Sequence, residues 1–288
     1  MSVVFSATGC DSQSPPDPSE KTQSQSPALL DAPIVEPVKK SDEHFTLGGP
    51  IAQLRERMRN APGRTGILAE TKRYSLFDEE LIIRDFFQDR PNGYFVDVGC
   101  AWPAMANNTY YLEKHLGWTG IGIDALSEYA PAWKRDRPSS RFFSYLVTDH
   151  SDTNEVFFKS ENVGLSSAKR GFANGRGFGG TLEVEEISTP TTTLTNLLLR
   201  EEVSKIDLLA LDIEGYEMMA LRGFDIERFR PELVVVEGKD PAVAAYFDAH
   251  GYVMIERYKP FDLVNTYFRP SSNTDTDTDT DTDTTEIQ

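Results

Sequence analysis

Apolar runs of five to seven residues alternate along this chain with stretches whose apolar positions recur at helical spacing. Phe77 pairs with Leu81, and Ile82 with Phe86, each four apart, which predicts a helix over 75–87. Ser75 is placed to cap it, and acids fill its first turn. Ile51, Leu54 and Met58 repeat that spacing more weakly. Pro91-Asn92-Gly93 then makes a turn into the first apolar run. Strands are expected at 94–98, 119–124, 141–147, 207–213, 232–237, 252–258 and 263–268. Helices are expected at 107–116, stopped by Gly117, at 127–136, interrupted by Pro131, and at 193–202, 215–222 and 241–250. Runs that are apolar throughout are strands buried on both faces, and such strands are parallel. The alternation therefore predicts an α/β fold with a doubly wound, mostly parallel seven-stranded sheet. No room is left for a helix between the last two runs, so the last strand should be antiparallel.

One stretch, 151–190, breaks the rhythm. Asn154–Phe158 and Leu182–Ile187 suit an inserted hairpin, with a glycine-rich loop at 171–180 between them. Gly175, Gly177 and Gly180 match G-x-G-x-x-G in form only, because no buried strand leads into them and no helix follows. The loop reads either as a mobile surface segment or as a lid over a substrate.

Composition divides the chain into three parts. Residues 1–48 are rich in Ser, Pro and Gln and poor in large apolar residues, so they read as a disordered tail. Residues 271–288 are mostly a Thr-Asp repeat and read as a second solvated tail. The folded domain is then 49–270. The formal net charge of −17 is shared unevenly: residues 1–48 carry seven acids against three bases, and 271–288 carry six acids and no base. The mildly acidic remainder argues against nucleic acid as a partner, since phosphate needs a basic surface. Two cysteines, Cys10 and Cys100, make no disulfide framework, and no apolar run is long enough to span a membrane. Val3–Cys10 also resembles the end of a lipoprotein signal with Cys10 as the lipidated residue. A cytoplasmic protein and one anchored to a membrane through Cys10 both remain open, and membrane partnership depends on that lipid.

The candidate chemistry lies where the strands stop. Parallel sheets bind ligands in the crevice outside the carboxyl ends of their strands. Gly99 sits where the first strand turns, and a glycine there lets the backbone approach a ligand closely. Asp97 ends the same strand. Cys100-Ala101-Trp102-Pro103 stands where a dinucleotide site would carry more glycines, so a pyrophosphate cradle is unsupported. A cofactor with an amino acid moiety fits better, its carboxylate on backbone N–H groups and its ammonium near an acid. That describes S-adenosylmethionine. Asp124, at the end of the second strand, suits a ribose diol, and Asp149, after the third, suits the adenine amino group. Each acid standing alone reads first as a loop cap or solvated strand end, but three at successive strand ends suggest a nucleoside pocket. Asp212 ends the fourth strand near the expected sulfonium or acceptor. Glu214 and Glu237 are candidates for general base or acceptor binding. Asp212 could instead cap a turn, and Glu214 could instead favour a helix dipole. His150 reads first as a solvated loop histidine. No His, Cys and Asp cluster has the spacing of metal ligands, so no metal is expected.

The chain resembles the FkbM-type family of S-adenosylmethionine-dependent methyltransferases over about residues 70–268. The resemblance rests on Phe95-Val96-Asp97-Val98-Gly99, Asn108-Thr109-Tyr110-Tyr111-Leu112-Glu113, Gly117-Trp118-Thr119-Gly120-Ile121 and Leu211-Asp212-Ile213-Glu214-Gly215-Tyr216-Glu217. It implies a Rossmann-like class I methyltransferase fold that uses S-adenosylmethionine, with Asn108 among the cofactor-binding residues. It also implies methyl transfer to a hydroxyl of a small-molecule acceptor such as a carbohydrate or other metabolite. The competing reading is a non-catalytic binding module on the same fold.

Overall fold

The computed structural model describes residues 49–175 and 181–272. The tail expected over 1–48, nearly all of that expected over 271–288, and positions 176–180 of the glycine-rich loop lie outside the described residues.

Seven strands form one sheet: β1 (Tyr94–Val98), β2 (Thr119–Asp124), β3 (Arg141–Ser144), β7 (Leu208–Leu211), β8 (Leu233–Glu237), β9 (Tyr252–Met254) and β10 (Asn265–Pro270). Their order is β3-β2-β1-β7-β8-β10-β9. All neighbours are parallel except at β10, which runs antiparallel to both β8 and β9. This is the Rossmann-like sheet expected from the sequence, with the last strand reversed. The register sets Val96 beside Ile121 and Leu209, and Leu209 beside Val234.

Period-two alternation sorts the sheet's side chains onto two buried faces. Val96, Val98, Leu209, Leu211, Val234 and Val236 pack with α6 (Leu194–Arg200), α7 (Glu217–Arg222), α8 (Ile226–Phe229) and α9 (Pro241–Ala249). Phe95, Leu208, Leu233 and Val235 face the opposite way, against α2 (Glu79–Phe87), Leu112 of α3 (Tyr110–Leu116) and Trp118. Helices therefore cover both faces, which is why the strands read as unbroken apolar runs. A further helix, α1 (Gly49–Arg59), precedes this core and buries Met58.

Several boundaries differ from the sequence reading for local reasons. α2 begins at Glu79, and Ser75 reaches it across four residues: its hydroxyl donates to the Phe77 carbonyl and accepts the Glu80 N–H. Pro131 does not interrupt a helix. It lies in the first turn of α4 (Ala130–Asp136), where its missing N–H costs nothing. The run 141–147 splits at Tyr145 into β3 and β4 (Leu146–Val147), because β4 leaves the main sheet. It pairs instead with β6 (Val184–Thr192), which also pairs antiparallel with β5 (Asn154–Ser160). The inserted hairpin is thus part of a small three-stranded sheet. A short helix, α5 (Arg170–Ala173), lies between its two long strands. No helix among the described residues is long and apolar enough to cross a membrane.

Candidate active site

The carboxyl ends of β1, β2, β7 and β8 carry the polar residues that the strand interiors lack. Two groupings result, one built around Asp97 and Asp124 and one around Asp212.

At the end of β1, Asp97 is 5% exposed. Its Oδ2 accepts from the Thr109 hydroxyl at 2.8 Å and from the Asn107 amide at 3.3 Å. Burial raises the Asp97 pKa, against the hydrogen bond from Thr109 and the charge of Arg137. Arg137 is fully buried, and it completes this network. It donates to Glu113 at 2.6 Å, to the Pro103 carbonyl at 3.0 Å, and to Asn107 and Thr109 at 3.1 Å each. Its guanidinium also lies over the rings of Trp133, Phe95 and Tyr110. Asn108, expected among the cofactor-binding residues, is not part of the hydrogen-bond network around Asp97. The amide that holds Asp97 belongs to Asn107, because the helix starts at Tyr110 and not at 107. The bends before it turn Asn107 and Thr109 inward and leave Asn108 half-exposed.

Gly99 has φ +82° and lies against the backbone of the Asp212 strand end, where a Cβ would stand 1.7 Å from the Asp212 carbonyl oxygen. Asp124, on β2, accepts one backbone N–H on each oxygen, from Ala101 at 3.0 Å and Leu126 at 2.8 Å. Each oxygen keeps a further lone pair for a ligand hydroxyl. Burial, opposed by those two bonds, raises its pKa to about 6. Beside it, Tyr129 is 7% exposed, and its hydroxyl is buried without a hydrogen-bond partner. Asp149 does not join these groups. It is exposed and paired with His150 at 2.8 Å, while the other His150 nitrogen meets Glu155 at 3.0 Å.

The second grouping unites the three acids expected to be catalytic. Asp212, Glu214 and Glu237 each place one oxygen within 4.8 Å of the others, a spacing at which they could hold a cation. The members of this set come from the ends of two adjacent strands, β7 and β8, so no local spacing in the sequence marks them. Burial and then the charge of Asp212 raise Glu214 to about 9. Burial and then Glu214 raise Glu237 to about 8. Asp212 is raised well above the ordinary range by its protein surroundings and by Glu237, with which it shares a hydrogen bond. Solvent still reaches Asp212 along the crevice, so the neighbouring carboxyls weigh more there than loss of water. Like charges this close cannot all ionise, and the group shares protons as one titrating unit. Glu217 braces it from below: its Oε1 accepts the N–H groups of Ile213 at 3.3 Å and Gly215 at 2.9 Å.

A pH dependence of stability follows. Unfolded, Glu214 and Glu237 ionise near 4.5; folded, near 9 and 8. The fold binds more protons than the unfolded chain between these values, so stability declines as pH rises through that window. The contribution is complete below about pH 4.5 and lost as pH passes the folded values. Melting temperature should therefore fall between about pH 6 and about pH 9, and Glu237→Gln should flatten the slope. A thermal profile unchanged by that substitution would remove the buried-proton account.

Sequence reasoning found the acids but not what holds them. Asn107, Thr109, Glu113, Arg137, Tyr129 and Glu217 were missed as members of the site.

Comparison with known proteins identifies the family. The family profile described as "Methyltransferase FkbM domain" matches residues 91–254, from the turn before β1 to the end of β9. No curated protein matches the chain. Among solved structures, it is similar to a TehB-like SAM-dependent methyltransferase from Corynebacterium glutamicum (14% identity, TM-score 0.38, covering 77% of this chain and 98% of that one). It is also similar to a putative ribosomal RNA methyltransferase from Plasmodium falciparum (11%, 0.35, 69% and 98%). A SAM-dependent methyltransferase from Geobacter sulfurreducens in complex with S-adenosyl-L-homocysteine is a third (9%, 0.33, 68% and 76%). These identities are too low to transfer a substrate, and the family match carries the assignment. With that match spanning more than half of the chain, this protein belongs to the FkbM methyltransferase family.

Proposed function

We propose that this methyltransferase moves the methyl group of S-adenosylmethionine to a hydroxyl oxygen of a small acceptor, a sugar or another small metabolite. The observation that supports this most is the group Asp212, Glu214 and Glu237, with one oxygen of each within 4.8 Å of the others. An acidic, proton-loaded crevice suits a cation at one end and a hydroxyl that must lose its proton at the other.

The residues present fit the cofactor. Asp124 retains lone pairs for ribose hydroxyls, and the unpartnered Tyr129 hydroxyl lies close enough to feel its charge. Asp97 and Gly99 would hold the amino acid end, with Asn107, Thr109 and Arg137 fixing Asp97 in place. Bound there, S-adenosylmethionine supplies an electrophilic methyl group on a positively charged sulfur. Positive charge beside the acid group lowers its pKa values, so a filled crevice would convert proton-loaded carboxyls into bases. Asp212 and Glu237 are tied to each other, which leaves Glu214 to take the acceptor proton. Asp149, exposed and held by His150, is better placed to fix the start of the insertion than to read adenine.

The test is transfer of labelled methyl from S-adenosylmethionine to a panel of sugars and other hydroxyl compounds, with Glu214→Gln alongside. The variant should lose roughly 10²–10⁴-fold in kcat, the usual contribution of a general base, while its affinity for S-adenosylhomocysteine stays near wild type. Transfer only to nitrogen or carbon acceptors, or full activity in the variant, would reject the reading.

A further inference from the structure

The turn that presents Glu214 is gripped from both sides, and one grip comes from the insertion. Glu214 has φ +52° and Gly215 φ +84°, so two consecutive residues lie in the left-handed region. For glutamate that conformation is unfavourable unless its surroundings impose it. From below, Glu217 accepts the N–H groups of this turn, as described above. From above, the Ser167 hydroxyl donates to the Glu214 carbonyl at 2.9 Å, and the Lys169 ammonium donates to the Gly215 carbonyl. The Phe172 ring covers Gly215 so closely that a Cβ there would stand 2.5 Å from it.

Ser167 is itself firmly held. It is 0% exposed. Its backbone exchanges two hydrogen bonds with Phe158 of β5, at 2.9 Å and 3.1 Å. Its hydroxyl also accepts the Lys169 N–H at 2.9 Å. Ser167 thus forms an isolated bridge to β5, and its buried hydroxyl links the small sheet to the Glu214 carbonyl.

We propose that the segment Ser167–Phe172 sets the orientation of Glu214, with Ser167 as a positioning residue that acts through the Glu214 carbonyl. The inference rests on the reading of Glu214 as the base. A hydroxyl that fixes the carbonyl fixes the peptide plane on one side of the Glu214 Cα, and so the direction in which its side chain leaves. Lys169 and Phe172 fix the next plane. The insertion, through Ser167–Phe172, then has a stated purpose: it orients an acid contributed by the main sheet.

The test is a double-mutant cycle in the full chain. Ser167→Ala should lower kcat by roughly tenfold or more, as misplacement of a reacting group does, while the dissociation constant for S-adenosylhomocysteine changes less than about twofold. Lys169→Met, at an exposed position, should show the same split in weaker form. In a Glu214→Gln background, Ser167→Ala should have no further effect on kcat, because the two act through one group. Additive losses, or a Ser167→Ala enzyme with wild-type kcat beside an inactive Glu214→Gln enzyme, would overturn the positioning role. Full activity of Glu214→Gln would overturn the reading of Glu214 as base, and the positioning role with it. If Ser167→Ala fails to fold by near-ultraviolet circular dichroism, Lys169→Met and Phe172→Ala decide the matter by the same split.

Discussion

Gly99→Ala should abolish cofactor binding and cost the fold about 3 kcal/mol or more, from a left-handed backbone plus overpacking. The reason is the backbone, not a lost contact. Gly99 has φ +82°, and its Cα packs against the carbonyl of Asp212. A methyl group would stand 1.7 Å from that oxygen and 2.7 Å from its carbon. Neither partner can move freely. Gly99 donates its N–H to the Ile123 carbonyl at 2.8 Å, and Asp212 donates its N–H to the Val98 carbonyl at 3.0 Å. Relief would have to come from parting β1 and β7, which would separate the Asp97 group from the Asp212 group. Urea denaturation and calorimetry with S-adenosylhomocysteine read the two consequences separately. A Gly99→Ala protein of wild-type stability and affinity would show that the two strand ends do not depend on this approach.

Arg137→Met should cost about 3–5 kcal/mol, the range for breaking a buried ion pair by removing one partner. The change strands Glu113, whose side chain is 8% exposed, and leaves the Pro103 carbonyl, Asn107 and Thr109 short of a donor. The aromatic rings around the guanidinium would tolerate methionine, so the loss measures polarity more than volume. Arg137→Met combined with Glu113→Gln should be less unstable than the sum of the two, since the double variant strands no charge. Cofactor affinity should fall in Arg137→Met as well, through loosened Asn107 and Thr109. A loss below about 1 kcal/mol would mean that solvent reaches Glu113 once Arg137 is gone, and that the network is not closed.

The strands were legible because both faces of the sheet are covered. Val96, Leu209 and Val234 had to be apolar for one helical layer, and Phe95, Leu208 and Leu233 for the other. The acids were legible because a polar side chain ending such a run marks the crevice. What the sequence hid depends on contacts between distant segments. Nothing in its neighbourhood shows that Arg137 lies beneath Asn107. The split of 141–147 was hidden too, since β4 turns away to pair with β6, setting Leu146 beside Thr191. Asn107 and Asn108 are equally polar neighbours, and only the late start of α3 decides which one faces Asp97. The small sheet's hold on Glu214 acts through a single hydroxyl, which carries no pattern at all.

The position of β10 has a consequence for how this protein is made. It is the last strand among the described residues, yet it fills an interior place between β8 and β9. During synthesis, β8 therefore leaves the ribosome with its outer edge unpaired, and β9 emerges with no strand to join. Neither is satisfied until residues through Pro270 are free to enter the gap in the opposite direction. The acids at the ends of β7 and β8 are the last parts of the site to be made, and all of them precede β10. Their final setting waits on a strand that contributes none of them.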